Sequence, residues 1–191
     1  MKRHKRPKIT AEDSLPGDLP RDRVIERMIR VDQAGEYGAA RIYAGQLAVL
    51  GRRGGPTVEA IREMAAQEAR HLEMFNRLMT ERRVRPTALS PLWHLAGHML
   101  GVASALAGEK AAMACTAAVE EVIDEHYATQ AAALGDDESA LRASIEEARA
   151  DEVAHRDAAL DHGARDAPSY ELLSTGIKGG TRLAIWLSQR L

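Results

Sequence analysis

Two copies of Glu-x-x-His occur in the chain, Glu68 with His71 and Glu152 with His155. On a helix, positions i and i+3 share a face, so each copy turns a carboxylate and an imidazole the same way. A single Glu precedes each copy by 32 residues: Glu36 before Glu68, and Glu120 before Glu152. One Glu-x-x-His carries little weight in a chain with 28 acidic residues and 7 His. Two copies at equal spacing from a third Glu carry much more. Four carboxylates facing a core without counter-ions would be strongly destabilising. Two divalent cations compensate them charge for charge. Glu and His together suit iron or manganese better than a closed structural zinc site.

The six residues must be positioned by helices. From Arg21 a helical period sets in, with Ile25, Ile29, Glu36, Ala40, Tyr43, Leu47 and Leu50 on one stripe. Gly51, Gly54, Gly55 and Pro56 stop it. A second stripe holds Ile61, Met64, Glu68, His71, Phe75 and Leu78 and ends before Pro86. A third holds Met113, Glu120, Ile123, Tyr127 and Leu134, stopped by Gly135. Asp136 or Asp137 is placed to cap a fourth helix, with Leu141, Ile145, Ala148, Glu152, His155 and Ala159 on its stripe. A last helix is expected from about Tyr170 to Leu191. No run alternates as a strand does, so the expected fold class is all-α.

Shifting the chain by 84 residues superimposes its halves. Glu36 falls on Glu120, Tyr43 on Tyr127, Gln46 on Gln130, Gly51 on Gly135, Glu68 on Glu152 and His71 on His155. The chain therefore reads as two helical hairpins of one ancestry. One Glu from each of two helices and Glu-x-x-His from each of the other two is the ligand pattern of ferritin-like di-metal carboxylate bundles. The expected architecture is such a four-helix bundle over residues 21–191, plus a crossover helix and a C-terminal helix.

The crossover is unusual. From Pro86 to Gly108 there is no Asp, Glu, Lys or Arg. Past Pro91 the run is 17 residues, or ~26 Å as a helix, short of the ~30 Å hydrocarbon core. A buried helix or one lying in a membrane interface fits better than a span. The C-terminal segment sets Ile177, Ala184, Ile185, Leu187 and Leu191 beside Trp186, with Lys178, Arg182 and Arg190 elsewhere. A basic amphipathic helix with a Trp reads as an interfacial anchor. Membrane-facing helices are thus expected at about 91–108 and 170–191. Residues 1–20 read as an irregular arm with five basic residues in its first eight. No apolar h-region follows them, so no secretory signal is expected.

Charge and cysteine content exclude other classes. Lys and Arg total 26 against 28 Asp and Glu. No nucleic-acid partner is expected from that balance. One cysteine, Cys115, makes neither a disulfide, a CxxC centre nor a Cys-rich metal module, and an intracellular, reducing compartment is expected. GIKGG at 176–180 lacks P-loop spacing. Tyr43 and Tyr127 follow the single Glu residues by seven positions. Two readings stand for them: core tyrosines, or hydrogen-bond partners of a ligand or substrate, with Tyr127 the candidate for a substrate or electron-transfer role. His94 and His98 read as packing or interface histidines, and His162 as a support to the metal ligands. Glu63 and Glu147 fall off the stripes and read as surface charges.

A small single-domain O₂-activating enzyme fits these features, with a ferritin- or rubrerythrin-like iron oxidase or peroxidase as the alternative. The chain resembles the demethoxyubiquinone hydroxylase family of ubiquinone biosynthesis. The resemblance is carried by IRVDQAGEYGAARIYAGQLAVLG, QEARHLEMFNRLM, RPTALSPLW, AMACTAAVEEVIDEHYATQ, DEVAHRDAALDHGA and TRLAIWLSQRL, and covers nearly everything after Arg21. It implies that Glu36, Glu68, His71, Glu120, Glu152 and His155 ligate two Fe ions. It implies O₂-dependent hydroxylation of the ring of a lipid-soluble demethoxyubiquinol. Other ubiquinone-biosynthesis proteins are implied as partners, and a homo-oligomer stays open. The implied location is peripheral, on the cytoplasmic face of a bacterial cell membrane or the matrix face of the mitochondrial inner membrane.

Overall fold

Gly, Pro and the uncharged run divide the described residues into six α-helices. The computed structural model describes residues 19–191, so residues 1–18 of the expected arm lie outside the described residues. Helix α1 spans Arg21–Leu50, and Gly51 sits at its C-cap. Pro56 opens α2 (Pro56–Glu81), where a missing N–H costs nothing. The crossover is α3 (Ser90–Leu106). Then come α4 (Glu109–Ala133), α5 (Ser139–Asp161) and α6 (Tyr170–Ser188). No strand occurs among the described residues.

The pairs α1–α2 and α4–α5 are the two hairpins of a ferritin-like bundle. The repeat extends further than the motif matches: α3 lies along α1, and α6 lies along α4. This cover explains why α1 is buried beyond its expected stripe. Val31, Asp32, Ala39 and Ile42 are also enclosed, whereas Ala40 and Leu47 are only half-buried. Helix α4 is enclosed all round from Ala111 to Glu120, a run rich in Ala that admits neighbours on every side.

Two expected details differ. Asp136 and Asp137 do not cap α5. They lie in a 3₁₀ turn, where Asp136 pairs with Arg142 and Asp137 with Arg21. Glu138 takes the N-cap position, its carboxylate held by both Arg82 guanidinium nitrogens at 3.0 and 2.8 Å. The face of α6 also differs. Ile177 is buried, and Ala184 and Ile185 line a cavity, because α6 packs on α4. Lys178 and Arg182 pair with Glu121 and Glu125 of α4. Trp186 is exposed as expected, and the other exposed apolar side chains of α6 are Leu172 and Leu183. No helix of the described residues is long and apolar enough to cross a membrane.

Helices α1 and α3 meet backbone to backbone. A Cβ on Gly101 would lie 2.0 Å from the Ile42 carbonyl oxygen, and one on Gly45 2.3 Å from that of His98. Only glycine permits this approach, since interaxial distance follows the side chains at the contact. Gly101→Ala should therefore lower stability by about 1–3 kcal/mol, an overpacking cost. Gly179→Ala, on α6 with nothing within 4 Å of its new Cβ, should raise stability by about 0.5–1 kcal/mol. Thermal unfolding of both variants checks the pair.

Candidate metal centre

Helix α1 supplies Glu36 and α4 supplies Glu120. Helix α2 supplies Glu68 and His71, and α5 supplies Glu152 and His155. All six are buried. They form two groups that could each hold a metal ion, their ligand atoms within 4.8 Å of one another: Glu36, Glu68, His71 and Glu152, and Glu68, Glu120, Glu152 and His155. Glu68 and Glu152 belong to both. Each group draws on both hairpins.

The donor atoms point inward. His71 Nδ1 lies 3.5 Å from Glu36 Oε2 and 3.6 Å from Glu152 Oε1. His155 Nδ1 lies 3.1 Å from Glu68 Oε1 and 3.5 Å from Glu152 Oε2. Both imidazole Nδ1 atoms, both oxygens of Glu68 and of Glu152, and one oxygen each of Glu36 and Glu120 are buried without a hydrogen-bond partner. Such atoms are costly in a protein interior unless something answers them. A pair of cations among oxygen and imidazole donors does so, and the residues fit it.

The remaining donor capacity is tied down from outside. Tyr43 Oη donates to Glu120 Oε1 at 2.7 Å, and Tyr127 Oη donates to Glu36. Burial lifts both phenols well above their ordinary range, so they stay protonated donors. His71 Nε2 lies 3.0 Å from Asp151 Oδ2, and His155 Nε2 lies 2.6 Å from Gln67 Oε1. Contacts of this kind fix the ring orientation of a metal-binding histidine.

An apolar cavity of about 270 Å³ opens between α1, α3, α4 and α6, lined among others by Ala39, Ile42, Trp93, Val119, Ile123 and Ile185. Tyr127, whose hydroxyl holds Glu36, is part of its wall. A charged group interrupts it: Asp32, buried, accepts from Gln130 Nε2 at 2.8 Å and faces His126 Nε2 at 3.3 Å. At the rim Trp93 Nε1 donates to Ser188 Oγ at 3.0 Å, joining α3 to α6.

Comparison with known proteins decides the family. Residues 23–188 match the family model described as Ubiquinone biosynthesis protein COQ7. The chain belongs to the COQ7 family. A Rhodospirillum rubrum relative named 3-demethoxyubiquinol 3-hydroxylase is 57% identical over 182 residues, covering 95% of this chain and 85% of the relative. The human NADPH-dependent 3-demethoxyubiquinone 3-hydroxylase, mitochondrial, is 49% identical over 172 residues, covering 87% and 78%. The Saccharomyces cerevisiae 5-demethoxyubiquinone hydroxylase, mitochondrial, is 39% identical over 182 residues, covering 87% and 78%.

In this COQ7 chain the other sequence candidates lie apart from the cluster. His94 Nδ1 meets the Tyr37 hydroxyl at 2.6 Å, and His98 Nδ1 meets Arg41 at 3.2 Å, so both pack α3 onto α1. His162, expected to support the ligands, instead meets Thr57 at 3.3 Å, because α5 ends there beside the start of α2. Glu63 and Glu147 are exposed. Cys115 is buried, its thiol pushed up to about 12 by burial. Sequence reasoning missed Gln67, Asp151, Asp32 and His126. The 84-residue shift held a signal for them, at positions where the halves differ: Gln67 falls on Asp151, Asp32 on Thr116, and Ile42 on His126.

Burial lifts the carboxyls of Glu36, Glu68 and Glu120 above the usual carboxylate range. Burial acts to lower His71, but the Glu152 and Glu36 carboxylates, 3.6 and 3.5 Å from its Nδ1, outweigh it and raise the imidazole to about 11. Burial acts to raise Glu152, but the imidazoles of His155 and His71, 3.5 and 3.6 Å away, hold it at about 2. The four raised groups bind more protons folded than unfolded, so their contribution drains as pH rises. Glu152 acts oppositely, and its contribution is lost only as pH falls toward about 2. Metal loading needs these ligands deprotonated, so bound metal removes the dependence. The Tm of chelator-stripped protein should fall between about pH 5 and 9, and the Tm gained with Fe(II) should widen over that window. Scanning calorimetry with and without Fe(II) at several pH values checks this.

Proposed function

We propose that this chain is an O₂-dependent di-iron hydroxylase acting on the ring of demethoxyubiquinol. One observation carries the reading: two ligand groups sharing Glu68 and Glu152 are tied, through Tyr127 and its bond to Glu36, to the wall of an apolar cavity. The names of the relatives supply the substrate. Glu36, Glu68, His71 and Glu152 would hold one iron, and Glu68, Glu120, Glu152 and His155 the other. When bound, the iron pair supplies two-electron activation of O₂: a ring C–H becomes C–OH, and the second oxygen leaves as water. The human relative's name gives NADPH as reductant, and a reduced nicotinamide is the donor class carried over from it.

The chain's own residues set the stage. Tyr43 and Tyr127 hold Glu120 and Glu36 by one oxygen each and leave the other to a metal. The cavity wall excludes water and accepts an apolar ring and the start of its tail. Asp32 with His126 is the polar point against which a ring oxygen orients. The alternative, iron oxidation or storage, gives no role to this cavity.

Supplied with ¹⁸O₂, a reductant and a demethoxyquinol, the loaded protein should place ¹⁸O in the product ring. Multi-turnover iron oxidation without labelled quinol would favour the alternative. Glu120→Ala should lose one iron and nearly all hydroxylation, with helical content retained. Iron analysis and circular dichroism check this, and full activity with two irons bound would refute the assignment.

The same reading places the protein on a membrane surface without spanning it. The helices that wall the cavity, α3 and α6, also carry exposed Leu92, Leu95, Met99, Leu106, Leu183 and Trp186. Lipid contact there would put the cavity mouth beside the acyl region. Leu95 and Leu106 are 60% and 71% exposed, so replacing both by Glu should leave the fold intact. The variant should bind liposomes less and turn over long-tailed quinols more slowly, while a short-tailed analogue reacts normally. Equal losses on both substrates would contradict lipid contact.

A further inference from the structure

The 84-residue repeat lets the two metal positions be compared atom by atom. Most of their surroundings are equivalent. Glu36 stands where Glu120 stands, each takes a bond from the tyrosine of the other hairpin, and Glu68 and Glu152 are shared. The partners of the two histidines are not equivalent. Gln67 and Asp151 occupy matching places, each just before the Glu of its own Glu-x-x-His. Each crosses to the histidine of the other hairpin: Gln67 Oε1 to His155 Nε2 at 2.6 Å, and Asp151 Oδ2 to His71 Nε2 at 3.0 Å.

Both imidazoles turn Nδ1 into the cluster, where it is buried and unpartnered. A cation at Nδ1 leaves the proton on Nε2. His71 then donates to a carboxylate, and His155 to a neutral amide. A charged acceptor makes the stronger hydrogen bond and leaves more negative charge on the ring. That strengthens the ring as a metal ligand. The Asp151 side chain is 39% exposed, so water weakens this effect without equalising it.

We infer that the two metal positions are unequal, and that Asp151 and Gln67 set the difference: the His71 position binds a divalent cation more tightly than the His155 position and favours the higher oxidation state. This rests on the di-metal reading above. Asp151 and Gln67 are positioning residues that act through the histidines.

Cobalt(II) tests it, read by its visible absorption in competition with a chelator, on the full-length, metal-stripped chain. Wild type should bind two Co(II), in two classes about 10-fold or more apart. Glu120→Ala, which spares the His71 position, should retain the tight class, and Glu36→Ala the weak one. Asp151→Asn should weaken the tight class about 10-fold and leave the other in place. Asp151→Glu should restore it. Gln67→Glu should tighten the weak class and narrow the gap, a gain that general destabilisation cannot produce. In the iron protein, one-electron reduction should leave the ferric ion at the His71 position, and Asp151→Asn should blur that preference in Mössbauer spectra. Two Co(II) bound with equal affinity would overturn this inference and spare the di-metal reading. So would Asp151→Asn weakening both classes alike. Fewer than two Co(II) per wild-type chain would overturn both.

Discussion

Four carboxylates share the interior of a bundle whose other core residues are mostly apolar, and the rest of the structure answers that fact. Ionised together, they would repel one another at short range in a medium that screens poorly. The fold meets this by placing two imidazoles among them, by giving two of the four a tyrosine hydroxyl, and by leaving the remaining lone pairs aimed at common points. A cation held there would link binding to folding: the same atoms that make the empty bundle costly would make the filled one favourable.

The two faces of the bundle are put to different uses. Helices α2 and α5 carry the Glu-x-x-His pairs and turn their outer sides to water, with the half-exposed Asp151 reaching His71 from that side. Helices α1 and α4 carry the single Glu and the Tyr, and they are covered by α3 and α6. Between these layers lies the cavity. The backbone contacts of Gly45 and Gly101 set how closely α3 approaches α1 and so the width of that space. The cavity lies on the covered side of the site, and the half-exposed Asp151 on the other.

Much of this was legible in the chain. Helical period, stop signals and the internal repeat located the four bundle helices and brought out the six residues that meet in the core. Local spacing reaches only as far as one helix, however. Gln67 and Asp151 matter because of histidines 88 and 80 residues away, and no helical stripe encodes that. The inner face of α6 was misjudged for a related reason. Ile177 and Ile185 look like an outward apolar face until α4 is known to lie against them. The cap of α5 went to Glu138 because Arg21 and Arg142 engage Asp137 and Asp136. Tertiary partners, once present, outrank local preference.

The tyrosine and histidine ties all run from one hairpin to the other, and they run both ways. Tyr43 reaches Glu120 while Tyr127 reaches Glu36, and Gln67 reaches His155 while Asp151 reaches His71. That reciprocity is the signature of an isologous, two-fold interface, in which one patch is complementary to itself. A single hairpin pairing with its copy would close the same ring of contacts, as a symmetric dimer with two identical metal positions. Joining the copies in one chain removed the requirement that they stay identical. Asp32 and His126, at positions where the other half of the repeat has Thr116 and Ile42, are open only to a chain whose halves can drift apart.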